Sequence, residues 1–383
     1  MNSFIFILGK NPELSSAEIV AYMDARDVPF SIEDSSDEFL VISAPYVPDS
    51  MASDLGGMLK FGEVLGSASK KEDLLGALES ANWGKVDMPS KPLFAVSSYG
   101  AGDPGAFEKS AKESLRQAGI KAGMLSHTAT SITHTEIVRR KLYGRELLLC
   151  KAEKFWLGRM LTAHDPYEFK KRDVGRPVQR AELSMPPRLS RIMLNLSGKP
   201  GRVLDPFCGL GTVLQEAATM GFEAHGSDVD NAIVSGCVKD MEWFSKAYKT
   251  KHAPEVRLAD ARNLPWSDGH FDAIVTEPVL GPVMKRFPKT RQAEAIVRKL
   301  TPLYRDSIKE MIRILKKRGR LVMTSPMFRV HNMINRIDVA KIAAQHGADE
   351  IDVLGDRLKH AFPLTDFEPQ HMTLREVHVF QKR

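Results

Sequence analysis

The sequence predicts an α/β protein, with a doubly wound, largely parallel sheet in its C-terminal half and two small α+β units before it. Two observations carry this expectation. From residue 188 onward, short and nearly continuous apolar runs alternate with helical runs, the pattern of buried parallel strands and their crossover helices. Upstream, two shorter strand, helix, strand successions each read as a compact unit. The 383 residues, 43% of them hydrophobic, are enough for two or three separate cores, because single cores stop growing near 250 to 300 residues.

The first unit opens with strand-like Phe4-Ile-Phe-Ile-Leu8 and turns at Gly9-Lys-Asn-Pro12. A helix follows over Ser15 to Arg26, with Ala17, Ile19, Val20 and Met23 apolar, and then a strand over Glu38-Phe-Leu-Val-Ile-Ser43. The second unit runs from the strand Leu93-Phe-Ala-Val-Ser-Ser98 through a helix over Pro104 to Ala118, and its last strand is Glu146-Leu-Leu-Leu-Cys150. Asp165 to Pro187 breaks into prolines and charges, as a linker or strap does. The third region reads strand Arg202 to Asp205, helix Thr212 to Met220, strand Glu223 to Asp228, helix Ala232 to Tyr248 and strand Glu255 to Leu258. It continues with strand Phe271 to Val275, helix Ala293 to Lys317 and strand Arg320 to Ser325. The expected division is therefore 1–65, 66–164, a linker over 165–187, and 188–383.

Composition excludes several classes. No stretch approaches the roughly 20 apolar residues that span a bilayer, and Met1 to Gly9 lacks the length and basic flank of a signal peptide. Cys150, Cys208 and Cys237 are odd in number and far apart, which predicts neither a disulfide framework nor a zinc site and fits a reducing, cytoplasmic compartment. His127, His134, His331, His360, His371 and His378 have no metal-like spacing, so no metal is expected. The net charge of +6 is a modest excess. Clustering says more: Lys170, Lys171, Arg172, Arg176 and Arg180 lie within eleven residues, opposed by Asp173 alone.

In an open α/β sheet, ligands sit beyond the carboxyl ends of the strands. The turn there is Asp205-Pro-Phe-Cys-Gly-Leu-Gly-Thr212. Gly209 and Gly211 permit close backbone approach, and the helix begun at Thr212 offers its positive end to the carboxylate of a bound amino acid. Leu214 stands where the dinucleotide fingerprint needs a third glycine, which counts against NAD or FAD. Asp228, 23 residues after Asp205, ends the second strand, where an acceptor takes both ribose hydroxyls of an adenosyl group. Asp260 ends the third, where a carboxylate accepts from an adenine amino group while Ala261 or Leu264 packs on the ring. Any one such Asp could equally be a helix cap or turn residue; three in register with a glycine turn are hard to obtain by chance.

These residues resemble the motifs of class I S-adenosylmethionine-dependent methyltransferases. Arg176-Pro177, Leu183-Ser-Met-Pro-Pro187, Asn195-Leu-Ser-Gly198 and the Asp205 to Thr212 block are similar to those of the tRNA guanine-N2-methyltransferase family with an N-terminal THUMP domain. Leu8-Gly-Lys-Asn-Pro-Glu-Leu-Ser15, Leu55-Gly-Gly-Met-Leu-Lys60, Gly158-Arg159 and Asp173 extend the resemblance over nearly the whole chain. It implies a ferredoxin-like segment over 1–65, a THUMP RNA-binding domain over 66–164 and a Rossmann-like catalytic domain over 188–383. S-adenosyl-L-methionine is the implied cofactor, held by Asp205, Pro206, Phe207, Gly209, Gly211, Thr212, Asp228, Asp260 and Ala261. The implied partner is tRNA, methylated on the exocyclic 2-amino group of a guanosine, by a monomer or weak oligomer with no membrane partner.

The fourth strand ends in Thr276-Glu-Pro-Val-Leu-Gly281, where the family usually carries Asp-Pro-Pro-Tyr. An acidic side chain and a proline carbonyl there accept both hydrogens of an aryl amine and point its lone pair at the sulfonium methyl. Glu277 and Pro278 retain these groups, whereas Leu280 replaces the tyrosine that would stack on an extruded base, an interaction worth roughly 1 to 3 kcal/mol. Glu277 is also one methylene longer than Asp. Phe207 either replaces the stacking surface or packs in the core. Lys285 and Arg286, with Lys289 and Arg291, form either a cationic rim for flanking phosphates or a solvated helix face. With Lys170, Lys171, Arg172 and Arg176 they are the expected RNA contacts. The alternatives are an aminomethyltransferase of another RNA or DNA base, and an inactive RNA-binding protein that retains the cofactor fold.

Overall fold

A computed structural model describes residues 1–79, 83, 89–125, 130–178, 185–284, 286–330, 333–368 and 372–383. His127, Arg180, Leu183, Ser184, Lys285, His331 and His371 lie outside the described residues. The chain divides into two compact units. The first comprises residues 1–16, 27–53 and 57–168; the second comprises 17–26, 54–56 and 169–383.

The first unit is built on one sheet. Its strands are β1 (Asn2–Leu8), β2 (Ser31–Ser35), β3 (Phe39–Ala44), β4 (Met58–Ala68), β5 (Leu93–Tyr99), β6 (Gly123–Met124), β7 (Glu146–Lys151) and β8 (Phe155–Ala163). Their order is β2-β3-β1-β4-β8-β7-β5-β6. The expected division at residue 65 falls inside β4, which pairs antiparallel with both β1 and β8. The two expected modules therefore share a sheet and count as one compact unit. Cutting β4 would break ladder hydrogen bonds on both sides. Inside this sheet the buried ammonium of Lys60 pairs with Glu146, which also accepts from Ser97.

The second unit carries β9 (Arg202–Asp205), β10 (Glu223–Asp228), β11 (Glu255–Leu258), β12 (Phe271–Thr276), β13 (Leu315–Val330), β14 (Met333–Arg336), β15 (Ala348–Glu350), β16 (Leu364–Asp366) and β17 (Leu374–Lys382). The main order is β11-β10-β9-β12-β13-β17-β15. Neighbours from β11 to β13 pair in parallel, as expected. β17 runs antiparallel to β13, β15 and β16, so the sheet is mixed. Between β9 and β12 the chain order reverses direction, which opens a crevice beyond their carboxyl ends. The helices Thr212–Thr219, Asn231–Tyr248 and Thr290–Ile314 supply the crossovers.

The expected linker over 165–187 is not all irregular: Pro166–Val174 is a helix. From Phe169 it belongs to the second unit. Arg172 is only 7% exposed; its Nε and Nη2 donate to Glu216 at 3.0 and 3.3 Å, and Arg191 Nε donates to the same carboxylate at 2.8 Å. Both guanidinium groups lie over the Phe169 ring, at 4.4 and 5.1 Å from its centroid. Arg176, 5% exposed, reaches Thr212 Oγ1 at 3.4 Å. Arg172 and Arg176 were expected on an RNA-facing surface, and burial and pairing inside the second unit correct that expectation. Lys170 and Lys171 are exposed.

Arg172→Ala leaves Arg191 to neutralise Glu216 alone, so the expected cost is about 1 to 3 kcal/mol, below that of a fully orphaned buried charge. Thermal melting should show the lowered midpoint. The salt dependence of RNA binding should not change; a flattened salt slope with an unchanged melting temperature would return Arg172 to the surface.

Candidate active site

The turn after β9 is shaped by its glycines. Gly209 and Gly211 have φ of 52° and 83°, a region L side chains rarely adopt. A Cβ on Gly211 would also meet Met241 Cε at 2.8 Å and Cys237 Sγ at 2.9 Å. Cys208 N donates to Ser227 O at 3.0 Å and Gly209 N to Asp228 Oδ2 at 3.2 Å, which fastens the turn to the end of β10. Asp205 is 3% exposed. Its Oδ1 accepts from Phe207 N at 3.1 Å and from Thr276 Oγ1 at 2.6 Å, tying the turn to the end of β12. Burial pushes the Asp205 carboxyl up to about 7, further than those two donors pull it down.

Beyond these strand ends lies a cavity of about 700 Å³. On one side it is lined by Pro206, Phe207 and Gly209 from the turn, by Asp228, and by Asp260 and Ala261. On the other it is lined by Glu277, Pro278, Leu280 and the loop as far as Met284. Nine of the residues singled out from sequence thus meet at one cavity: six from the cofactor constellation and three from the reacting loop. Asp205, Gly211 and Thr212 do not line it. They act from behind, through Thr276, the packing of Met241 and Cys237, and Arg176 respectively. Phe207 is half-buried and faces the cavity, so it is not simply core packing.

The acids of the cavity are not equivalent. Asp228 Oδ2 holds Gly209 N while its Oδ1 accepts from Asp230 N at 3.0 Å. Asp260 is gripped by Arg262, whose Nη2 donates to Oδ2 at 2.6 Å and whose Nε lies 3.0 Å from Oδ1. That guanidinium holds the Asp260 carboxyl below the usual aspartate range. Receiving an adenine amino group there requires sharing the carboxylate with Arg262 or displacing it. The donor set fits an adenosyl amino acid in other respects: a backbone turn, a ribose-side carboxylate and the apolar wall of Ala261 and Ile233. Among the described residues no cluster of three or more His, Cys, Asp or Glu could hold a metal.

The reacting loop has supports that sequence reading missed. Arg375, from β17, donates from Nε to Glu277 Oε2 at 2.6 Å and from Nη2 to Oε1 at 3.3 Å. Thr324 Oγ1 donates to Glu277 Oε2 at 3.2 Å. Tyr304, fully buried, donates to Val279 O at 3.2 Å. Gly281 has φ of 113°. Arg375 itself lines the cavity, with Met372 and Thr373. Arg286 is exposed and lies off the lining.

The doubly wound sheet with this cavity at its switch point defines a class I S-adenosylmethionine-dependent methyltransferase. A family model described as the RMKL-like methyltransferase domain matches residues 176–347. The tRNA (guanine(10)-N2)-dimethyltransferase of Methanothermobacter thermautotrophicus is 30% identical over 335 residues, which cover 86% of this chain and 90% of that protein. The protein of the same name from Pyrococcus abyssi is 25% identical over 327 residues, 84% of this chain and 88% of that one. The chain belongs to the tRNA (guanine(10)-N2)-dimethyltransferase family. Among solved structures, TrmN from Thermus thermophilus shares the fold over 100% of both chains, with a TM-score of 0.55 and 19% identity.

Asp205 gives a test by pH. Both donors converge on one oxygen, so Asp205→Asn can accept both through its carbonyl. A carboxyl raised from 3.8 to about 7 in the fold contributes stability that is complete below the unfolded value and lost as pH rises through the folded one. Asp205→Asn should therefore match the wild type near pH 4 and exceed it above pH 7, by up to about 4 kcal/mol. A constant difference between the two melting temperatures across that range would mean that Asp205 is not protonated in the fold.

Proposed function

We propose that the chain transfers methyl groups from S-adenosyl-L-methionine to the 2-amino group of guanosine in tRNA. We further propose that the guanosine is at position 10 and that two transfers occur in succession. The observation that carries this reading is the single cavity joining the glycine turn, Asp228 and Asp260 to Glu277 and Pro278. The names of the full-length relatives supply the base, its position and the number of methyl groups.

When bound, the cofactor supplies a methyl group on a positively charged sulfur that leaves as a neutral thioether. The residues of the chain have the other tasks. Pro206, Phe207 and Gly209 border the space for the amino-acid moiety, and Asp228 is the ribose acceptor. Glu277 accepts a hydrogen of the exocyclic amine, and the carbonyl of Pro278 accepts the other, which draws the nitrogen lone pair out of conjugation with the ring. The nitrogen then forms its bond to carbon with the lone pair, becomes cationic and loses a proton to Glu277 or water. No base of high pKa is needed, because the nitrogen is acidic only after the transfer. Holding nitrogen and methyl in line is the main source of acceleration, worth up to roughly 7 to 11 kcal/mol in favourable cases. Phe207 offers the ring face for the base that Leu280 lacks.

The first unit is proposed as the THUMP-containing RNA-binding part. What supports this is a groove edged by Lys91, Lys109, Lys112, Arg116 and Lys121, with Glu113 the acid among them. Its floor includes Leu93 and Ile120. Cations around an apolar floor suit a nucleic-acid backbone with its bases turned inward. In the second unit the exposed Lys170, Lys171 and Arg286 are candidates for further phosphate contacts. Three buried cysteines, none in a disulfide, support a reducing, cytoplasmic setting. Among the described residues no helix is long and apolar enough to cross a membrane.

Labelled S-adenosylmethionine incubated with the protein and unmodified tRNA, followed by digestion to nucleosides, should yield N2-methylated and then N2,N2-dimethylated guanosine. Label only in another nucleoside, or none, rejects the assignment. Lys109→Glu with Lys112→Glu should weaken tRNA binding uniformly and lower the slope of log affinity against log salt by about 2. An unchanged slope would leave the groove without a role in binding.

A further inference from the structure

We propose that Arg375 is the positioning residue that makes Glu277 usable as the amine acceptor, by gripping its longer side chain with a short bond to one oxygen and a long one to the other, which keeps capacity for substrate. This rests on the reading of Glu277 given above. The two carboxylate oxygens are treated differently. Oε2 takes the 2.6 Å bond from Arg375 Nε and the 3.2 Å bond from Thr324 Oγ1. Oε1 has one contact among the described residues, at 3.3 Å to Arg375 Nη2. A carboxylate has about four acceptor positions, so Oε1 keeps capacity for an incoming N–H.

The constraint has a chemical reason. Glu has one more rotatable bond than Asp, and a misplacement of about 1 Å can cost about 100-fold in rate. A guanidinium fork meeting a carboxylate side-on removes that freedom, which a point-charge cation does not do. Arg375 is itself fixed. It sits opposite Asp366 of β16 and Pro326 of β13, and its Nη1 lies 3.6 Å from the buried Asp366. Thr324 is fully buried on β13, so both anchors of Glu277 stand on sheet strands and not on loops.

The test uses the full chain and single-turnover kinetics with whichever nucleoside the wild type labels. Arg375→Ala should lower the transfer rate about 100-fold while cofactor and tRNA dissociation constants stay within about threefold. Arg375→Lys keeps a cation beside Asp366 and reports even where the alanine variant does not fold; it should recover only a minor part of the rate. Glu277→Gln with Arg375→Ala should be no slower than Glu277→Gln alone, since both act through one group. A readout independent of activity is the crystal structure of Arg375→Lys, where the Glu277 carboxylate should leave its position. The proposal is overturned by multiplicative effects in the double variant, by Glu277 unmoved in Arg375→Lys, or by a loss confined to tRNA affinity, which would make Arg375 a phosphate contact. A wild type that labels a base other than guanine rejects the proposed substrate alone and leaves each of these outcomes readable.

Discussion

The active site depends on one buried carboxyl. Asp205 receives the Phe207 amide and the Thr276 hydroxyl on the same oxygen, and so holds the ends of β9 and β12 together where the strand order reverses. One end carries the turn that lines one side of the cavity; the next residue after Thr276 is Glu277, which lines the other. The distance between the two walls of the cavity is therefore set by a short hydrogen bond between adjacent parallel strands, a rigid element compared with any loop. Its cost is the desolvation that pushes Asp205 up to about 7. The nearby half-buried Asp228 and Glu277 raise it further.

Around this fixed point the cavity distributes its acids by partner. Asp228 accepts a backbone amide on each oxygen, and each oxygen keeps a second lone pair for a further donor. Asp260 is matched to Arg262, and Glu277 to Arg375. Each exposed or half-buried pair moderates a negative charge without removing an acceptor. The pairings differ in weight. Arg262 is a surface side chain, 54% exposed, whose bond is easily yielded to solvent or ligand. Arg375 is 13% exposed and Glu277 18%, so separating them strands charge in a poorly hydrated place.

Much of this was legible in the sequence, for identifiable reasons. The alternation of short strands with helices bounded β9, β10 and β11 to the residue, even though β11 is an exposed edge strand, and the glycine turn between β9 and its helix followed. The partners across the sheet were not legible. Arg375 lies 98 positions from Glu277 on β17, whose alternating Leu374-Arg-Glu-Val-His-Val-Phe-Gln-Lys382 is an antiparallel pattern outside the scheme of parallel strands. β13 itself runs on to Val330, past the expected end at Ser325, and β17 pairs with it as far as Met327. Arg172 failed in the opposite way. Charge clustering marked it as a surface cation, but its periodicity with Phe169 turns it inward, onto Glu216. A count of charges in a window cannot see which face of a helix each one occupies.

The same limit applies to domain boundaries. A composition break at 165–187 suggests a catalytic half that begins at residue 188, yet the second unit also claims residues 17–26 and 54–56. The reason is local and polar. Asn195 Nδ2 donates to Glu18 Oε1 at 2.7 Å and to Asp54 O at 2.8 Å, and Gly56 N donates to the same Glu18 oxygen at 2.7 Å. Arg188 Nε donates to Gly56 O at 2.6 Å. Gly56 has no room for a side chain, because a Cβ would come within 2.3 Å of Arg188 O. Removing these two short segments would withdraw partners from two buried or half-buried polar groups on the Pro187–Leu196 helix, each at a cost of about 1 to 3 kcal/mol. That helix packs beneath the sheet whose strand ends build the cavity. The catalytic unit is consequently discontinuous in sequence, and what makes it so is hydrogen bonding to a helix that sequence alone marks only as Asn195-Leu-Ser-Gly198.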